Sequence, residues 1–240
     1  MPGLIIVTFL CLVAAALSFN SVSTYGLGNA FGVATGAVAV VAMSLCLILA
    51  ARPRLLEPLF GGLDHMYRAH KWLGIAALGL MLVHNQFDPD FDDWVRESGI
   101  GEFAKAIGEF AFYGLITLIL SSWIKRIPVL GWEIPYQLWW FTHRLTGLFF
   151  ALVAIHQLLI DTPYAWNDPL AVYLNVFCAL GLGSYLFVQF LARRLRRRAY
   201  RVESLEQQAG ATELSLAPLG RPMRWRPGQF AFLSVSGFSL

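Results

Sequence analysis

Four histidines stand in two apolar stretches of the sequence, and their spacing nearly repeats. YRAHKWLGIAALGLMLVHNQ, residues 67–86, holds His70 and His84, and QLWWFTHRLTGLFFALVAIHQ, residues 137–157, holds His143 and His156. The separations are 84 − 70 = 14 and 156 − 143 = 13 residues, which make about 21 and 20 Å of helix at about 1.5 Å per residue. A polar imidazole in hydrocarbon needs a partner. Zinc usually takes ligands clustered at short spacings, whereas a six-coordinate b-type haem needs one neutral imidazole on each side of its iron. Facing histidines on two helices meet the second requirement. The expectation is that His70 with His143 holds an inner haem and His84 with His156 an outer one. A lone intramembrane histidine is more often a packed residue or part of a proton pathway, but four in two level pairs favour the haem reading. His65, without a counterpart on the second stretch, reads as a surface residue.

The surroundings of the histidines fit unevenly. Arg68, Lys71 and Arg144 stand beside the inner pair, where haem propionates want cationic company and where snorkelling to lipid headgroups is the competing explanation. Arg144, next to His143, is the strongest of these. Phe149 and Phe150 lie midway between His143 and His156, so a ring in the gap between two haems is expected, with lipid packing as the rival reading. At about 100° per residue, a step of 14 returns within roughly 40° of one helix face and a step of 13 lands about 140° away. The second stretch therefore needs a π-bulge, a bend near Gly147, or cofactors approached from different flanks.

The elements that must carry these side chains follow from composition. The chain is 57% hydrophobic and 14% charged, with a mean hydropathy of +0.59, more apolar surface than one soluble core of 240 residues can hide. Spans of about 20 mostly apolar residues are read at roughly 3–20, 30–50, 66–87, 103–124, 136–160 and 169–192. The first could be a cleaved signal peptide, since AAALS at 14–18 offers small residues, but MPGLIIVTFL has no positive leader and favours a retained helix. Cys11, Cys46 and Cys178 each fall in a span with no CxxC spacing, so neither a disulfide framework nor a thiolate metal site is indicated. Lys and Arg collect on the cytoplasmic side. Arg52 and Arg54, Lys125 and Arg126, and the run Arg193, Arg194, Arg196, Arg197, Arg198 and Arg201 all lie on one side, opposite the acidic DPDFDDWVRES. Both termini are therefore expected in the cytoplasm, in a multi-pass protein of the cell (inner) membrane. The net charge of +3 needs no nucleic-acid partner, because a basic run after a span is explained by topology and anionic lipid.

From Arg196 onward the spanning character ends. YRVESLEQQAGATELSLAP alternates apolar and polar residues around a glycine-containing turn, and RPGQFAFLSV is a Pro-Gly turn entering a strand. On pattern alone this is a small antiparallel sheet.

RPRLLEPLFGGLDHMYRAHKWLG, FTHRLTGLFFALVAIHQ and RPGQFAFLSV together resemble the ferric-reductase-like transmembrane domain shared by NADPH oxidases, ferric reductases and a bacterial haem subunit of methionine sulfoxide repair, most of all the prokaryotic NADPH oxidase homologues. The resemblance implies an all-α membrane domain, residues 1–195, of six helices with two stacked b-type haems on His70, His84, His143 and His156. It makes residues 196–240 the first β-strands of a ferredoxin-reductase-like FAD barrel. Electrons from NAD(P)H and FAD would cross to dioxygen, giving superoxide, with a ferric chelate or a partner protein as alternative acceptors. With both axial positions filled by imidazole, dioxygen would not bind iron; Asn85 and Gln157 stand where an acceptor would approach, both exposed on the plain reading. Spacings of 14 and 13 are usual in that family. The His-Pro-Phe-Ser/Thr flavin contact and the glycine-rich nicotinamide loops do not occur before Leu240, so donor chemistry is expected from a flavin and nicotinamide domain in a longer protein or from a partner chain.

Overall fold

The computed structural model describes the whole chain except residues 88, 90, 92, 124–125, 128–131, 134, 193–194, 196, 209, 224–232 and 234–240. The strand expected in RPGQFAFLSV thus lies outside the described residues apart from Leu233. The chain divides into two compact units, Met1–Leu191 and Ala192–Leu240.

The first unit is helical: α1 (Pro2–Val22), α2 (Leu27–Ala50), the short α3 (Glu57–Phe60), α4 (Leu63–His84), α5 (Gly101–Trp123), α6 (Tyr136–Leu159) and α7 (Pro169–Leu186). Among the described residues, five segments are long and apolar enough to cross a membrane: Pro2–Tyr25, Leu27–Ala50, Gly101–Ser122, Tyr136–Leu159 and Pro169–Leu191. The helix expected at 66–87 forms as α4 but is the least apolar, because Asp64, Arg68 and Lys71 occupy its first half.

Local chemistry sets the helix ends. Gly61 takes the left-handed conformation (φ 76°) that closes α3, and Gly62 (φ 129°) turns the chain into α4. Asp168 caps α7 by accepting the Leu170 N–H at 2.8 Å, ahead of Pro169 at the first turn. The same carboxylate accepts the Ser21 hydroxyl at 2.7 Å, tying the end of α1 to the start of α7.

Helix α2 is the most enclosed of the five. Its buried positions are mostly small, including Ala30, Gly32, Ala34, Ala37, Ala39, Ala42 and Ser44, which lets α1, α4 and α7 approach closely. Helices α5 and α6 form the other large pairing. Phe150, 2% exposed, fills the core with Leu170, Leu174 and Phe177. A two-residue ladder, β1 (Arg126–Ile127) with β2 (Trp132–Glu133), lies between α5 and α6 in sequence. In the second unit, β3 (Tyr200–Gln208) and β4 (Ala211–Pro218) form the expected antiparallel hairpin, with a bulge between Val202 and Ser204 and Gly210 (φ +84°) at the turn.

Candidate functional site

His70 and His143 come together at one level of the bundle, ring centres 6.2 Å apart and planes at 74°. A coordinating imidazole nitrogen sits about 2 Å from its metal and the ring centre about 1 Å further, so imidazoles on opposite sides of one metal have centres about 6 Å apart. His84 and His156 line a single cavity of about 850 Å³ at the other level, within the usual range for a cofactor site. Among the described residues no three His, Cys, Asp or Glu side chains converge, so each level offers two imidazoles as its histidine donors.

Each of the four rings is held through Nδ1. His70 Nδ1 is 2.9 Å from the Cys46 carbonyl, His84 Nδ1 is 2.8 Å from that of Gly32, and His156 Nδ1 is 2.8 Å from that of Ala104. A carbonyl only accepts, so these three nitrogens carry hydrogen. His143 Nδ1 is 3.0 Å from Ser122 Oγ, whose own hydrogen goes to the Leu118 carbonyl at 2.8 Å. The hydroxyl therefore accepts here too. In this tautomer Nε2 keeps its lone pair, the arrangement that orients metal-binding histidines.

Glycines make room for the second pair. A Cβ on Gly36 would meet the His84 ring at 2.8 Å, and one on Gly108 would meet the His156 ring at 2.5 Å. The offsets match, 84 − 36 = 48 and 156 − 108 = 48, and in both cases the Nδ1 partner lies 52 residues before the histidine. The other pair shows a kindred motif, HKWLG at 70–74 and HRLTG at 143–147. Pair α2–α4 and pair α5–α6 thus use one plan: an antiparallel partner supplies the Nδ1 acceptor and the space. The glycine offset is a sequence signal that attention to the histidines alone misses.

The neighbouring residues fall as follows. Helix α6 runs as an α-helix from Tyr136 to Leu159 with no π-bulge, so that explanation of the 13-residue step is set aside. His143 meets a side chain near the end of α5, and Trp139 stacks on it with centres 5.2 Å apart and planes at 8°. The Arg144 guanidinium lies 4.2 Å from the centre of the Trp140 ring, and Arg68 is exposed. Phe149 packs against Gly114 of α5 and beside Phe110 at 5.5 Å, while Phe150 faces Gly181, which also adjoins Ser44. His65 stands 3.2 Å from Asp64 of its own helix. Asn85 is exposed as expected, but Gln157 is 7% exposed, because the end of α6 is covered by the loop before α5, and it lines the cavity with an Nε2 that has no hydrogen-bond partner among the described residues.

Arg96 belongs to that covering loop, the one cation in the acidic run DPDFDDWVRES. It is 3% exposed and donates from Nη2 to the carbonyls of Gln157 and Ile160, both at 3.0 Å. Burial lowers its guanidinium pKa, opposed by Tyr164 and Asp161. Burial also pushes the Tyr164 phenol up to about 12.

Several helices long and apolar enough to cross a membrane, with His70 beside His143 and with His84 and His156 lining one cavity, define a multi-helix membrane protein that carries paired imidazole donors. Residues 35–154, half of the chain, match the family described as ferric reductase like transmembrane component, and the chain belongs to that family. No curated protein matches the sequence.

Proposed function

We propose that this protein is a transmembrane electron conduit in which His70 with His143, and His84 with His156, each hold one b-type haem through Nε2. The observation that carries this reading is the Nδ1 hydrogen bond made by all four rings, which fixes tautomer and direction before any metal arrives. When bound, the haems supply one-electron chemistry, and the protein supplies position and electrostatics.

The chain's own residues do the rest. Cys46, Gly32, Ala104 and Ser122 orient the imidazoles, and Gly36 and Gly108 keep space beside two of them. Arg144 and Arg68 are the cations assigned to the inner propionates, and Phe149 the ring assigned between the levels. Helix α4 is the sixth span, tolerated because it packs against α2 and α5. Both termini face the cytoplasm of the inner (cell) membrane, by the distribution of Lys and Arg. Residues 1–195 form the haem domain, and 196–240, with the β3–β4 hairpin, open an FAD-binding barrel. Electrons enter on the cytoplasmic side from NAD(P)H by way of FAD and leave on the outer side to dioxygen. The rival acceptors are a ferric chelate and a partner protein.

Purified protein should contain two haems per chain by pyridine haemochrome assay, with low-spin spectra from paired imidazoles. One haem or none would overturn the reading. Dye reduction by the flavin-coupled protein that superoxide dismutase abolishes would identify dioxygen as the acceptor; persistence of the signal would point to iron or a protein.

A further inference from the structure

We propose that Arg96 is the positioning residue of the His84/His156 site: it clamps the end of α6 just beyond His156 and sets a fixed positive charge beside the site. Three observations converge on it. The first is the clamp itself. The Arg96 guanidinium donates to the Gln157 and Ile160 carbonyls, which lie at the helix end where carbonyls lack intrahelical donors and where a cation is favoured. Ile160 in turn donates its N–H to the His156 carbonyl at 2.8 Å. The chain of contacts from Arg96 to the backbone of His156 is therefore short and polar throughout.

The second is how firmly Arg96 is held. Its backbone pairs with Thr162 in both directions, N to O at 2.9 Å and O to N at 3.0 Å. Ser98 N–H donates to Asp161 Oδ1 at 2.7 Å beside it. The guanidinium lies 4.5 Å from the centre of the Trp166 ring and 5.7 Å from that of Tyr164, the cation–π range. The third is its burial. Side chains of this kind are almost never enclosed unless paired, and Nε and Nη1 have no hydrogen-bond partner among the described residues. An arginine stays protonated there, so its charge is permanent. Asp161, Glu102 and Glu109 on the cavity wall oppose that charge and Lys105 adds to it. A cation hydrogen-bonded to the carbonyl of Gln157, the residue that follows His156, favours the electron-richer state of whatever the imidazoles hold.

The redox part rests on the haem reading above; the clamp does not. Two variants separate charge from shape: Arg96→Met removes the charge and the donors, and Arg96→Lys keeps the charge while losing the planar fork. In a redox titration of the purified protein, with the outer wave assigned as the one missing in His156→Ala, Arg96→Met should lower the outer midpoint and leave the inner one in place. Arg96→Lys should restore most of the difference. Loss of the outer haem in Arg96→Met with retention in Arg96→Lys supports the same role. Unchanged midpoints with both haems retained would overturn it, as would equal loss of both haems in both variants, which marks a folding role alone. Hydrogen exchange on the haem-free chain tests the clamp without any cofactor. The amides of Ile160 and Thr162 should exchange at least tenfold faster in Arg96→Met, while those near His143 keep their rates. Equal rates at Ile160 and Thr162 would overturn the clamp even if two haems were bound.

Discussion

Histidine type and spacing were readable along the chain, but the groups that orient the rings were not, and the difference is physical. Ser122 is one hydroxyl in SSW at the end of an apolar run, and it acquires meaning only when α5 lies along α6 and its proton is committed to Leu118. Replacing Ser122 with Ala removes the acceptor for His143 Nδ1–H. Haem affinity at the His70/His143 level should fall about 10–100-fold, the usual cost of losing such a partner, with the other level unaffected; titrating haem into the apoprotein measures this. Gly36→Val should act oppositely in space, driving a side chain into the His84 ring and abolishing the outer haem while sparing the inner. Tyr164 supplies a pH test. Its folded pKa of about 12 stands above the ordinary 10.0 because the phenol is buried. The stability tied to the neutral phenol is therefore fully present below pH 10, and it is lost as pH rises through about 12. Thermal inactivation in detergent should steepen across that window in the native protein and less so in Tyr164→Phe.

At the scale of elements, long apolar segments were legible because hydrocarbon imposes a length, and the boundaries of α2, α5 and α6 and of the apolar segment Pro169–Leu191 fall within a few residues of those read from hydropathy. Elements without a period were not. Four-residue α3 and the two-residue β1–β2 ladder are set by glycine turns and pairing rather than by an amphipathic repeat. Helix α4 is the informative case: its polar first half lowers its hydropathy, yet it packs beside α2, where Cys46 and Gly32 receive His70 and His84. A polar helix enclosed by other helices in a membrane is tolerated where its groups have partners. If α4 spans, the loop after it lies outside. In a cysteine-free background, an impermeant maleimide should label Asp93→Cys on intact cells and Arg54→Cys only after permeabilisation. The reverse pattern would invert the proposed direction of electron flow.

For the whole molecule, the equal offsets of 48 and 52 residues show that the two helix pairs solve one problem twice, each contributing a histidine at both levels. His84 and His156 both use backbone carbonyls, whereas His143 uses a serine side chain where His70 uses a carbonyl. The glycine repeat carries no signal in the sequence by itself, because it is meaningful only beside the rings it admits. Cofactor pairing across the two halves has a direct consequence. Under the proposed pairing each level needs one residue from each half, so substitutions at one level should leave the other intact, and substitutions split between levels should destroy both. His70→Ala with His143→Ala should leave one haem per chain, and so should His84→Ala with His156→Ala. His70→Ala combined with His156→Ala should leave none, although the same number of histidines remains. Pyridine haemochrome assays on the three double variants, each checked for folding by its elution in detergent, decide the matter: one haem retained in the split variant would mean that His84 and His143 can share a cofactor and that the two levels are not separate.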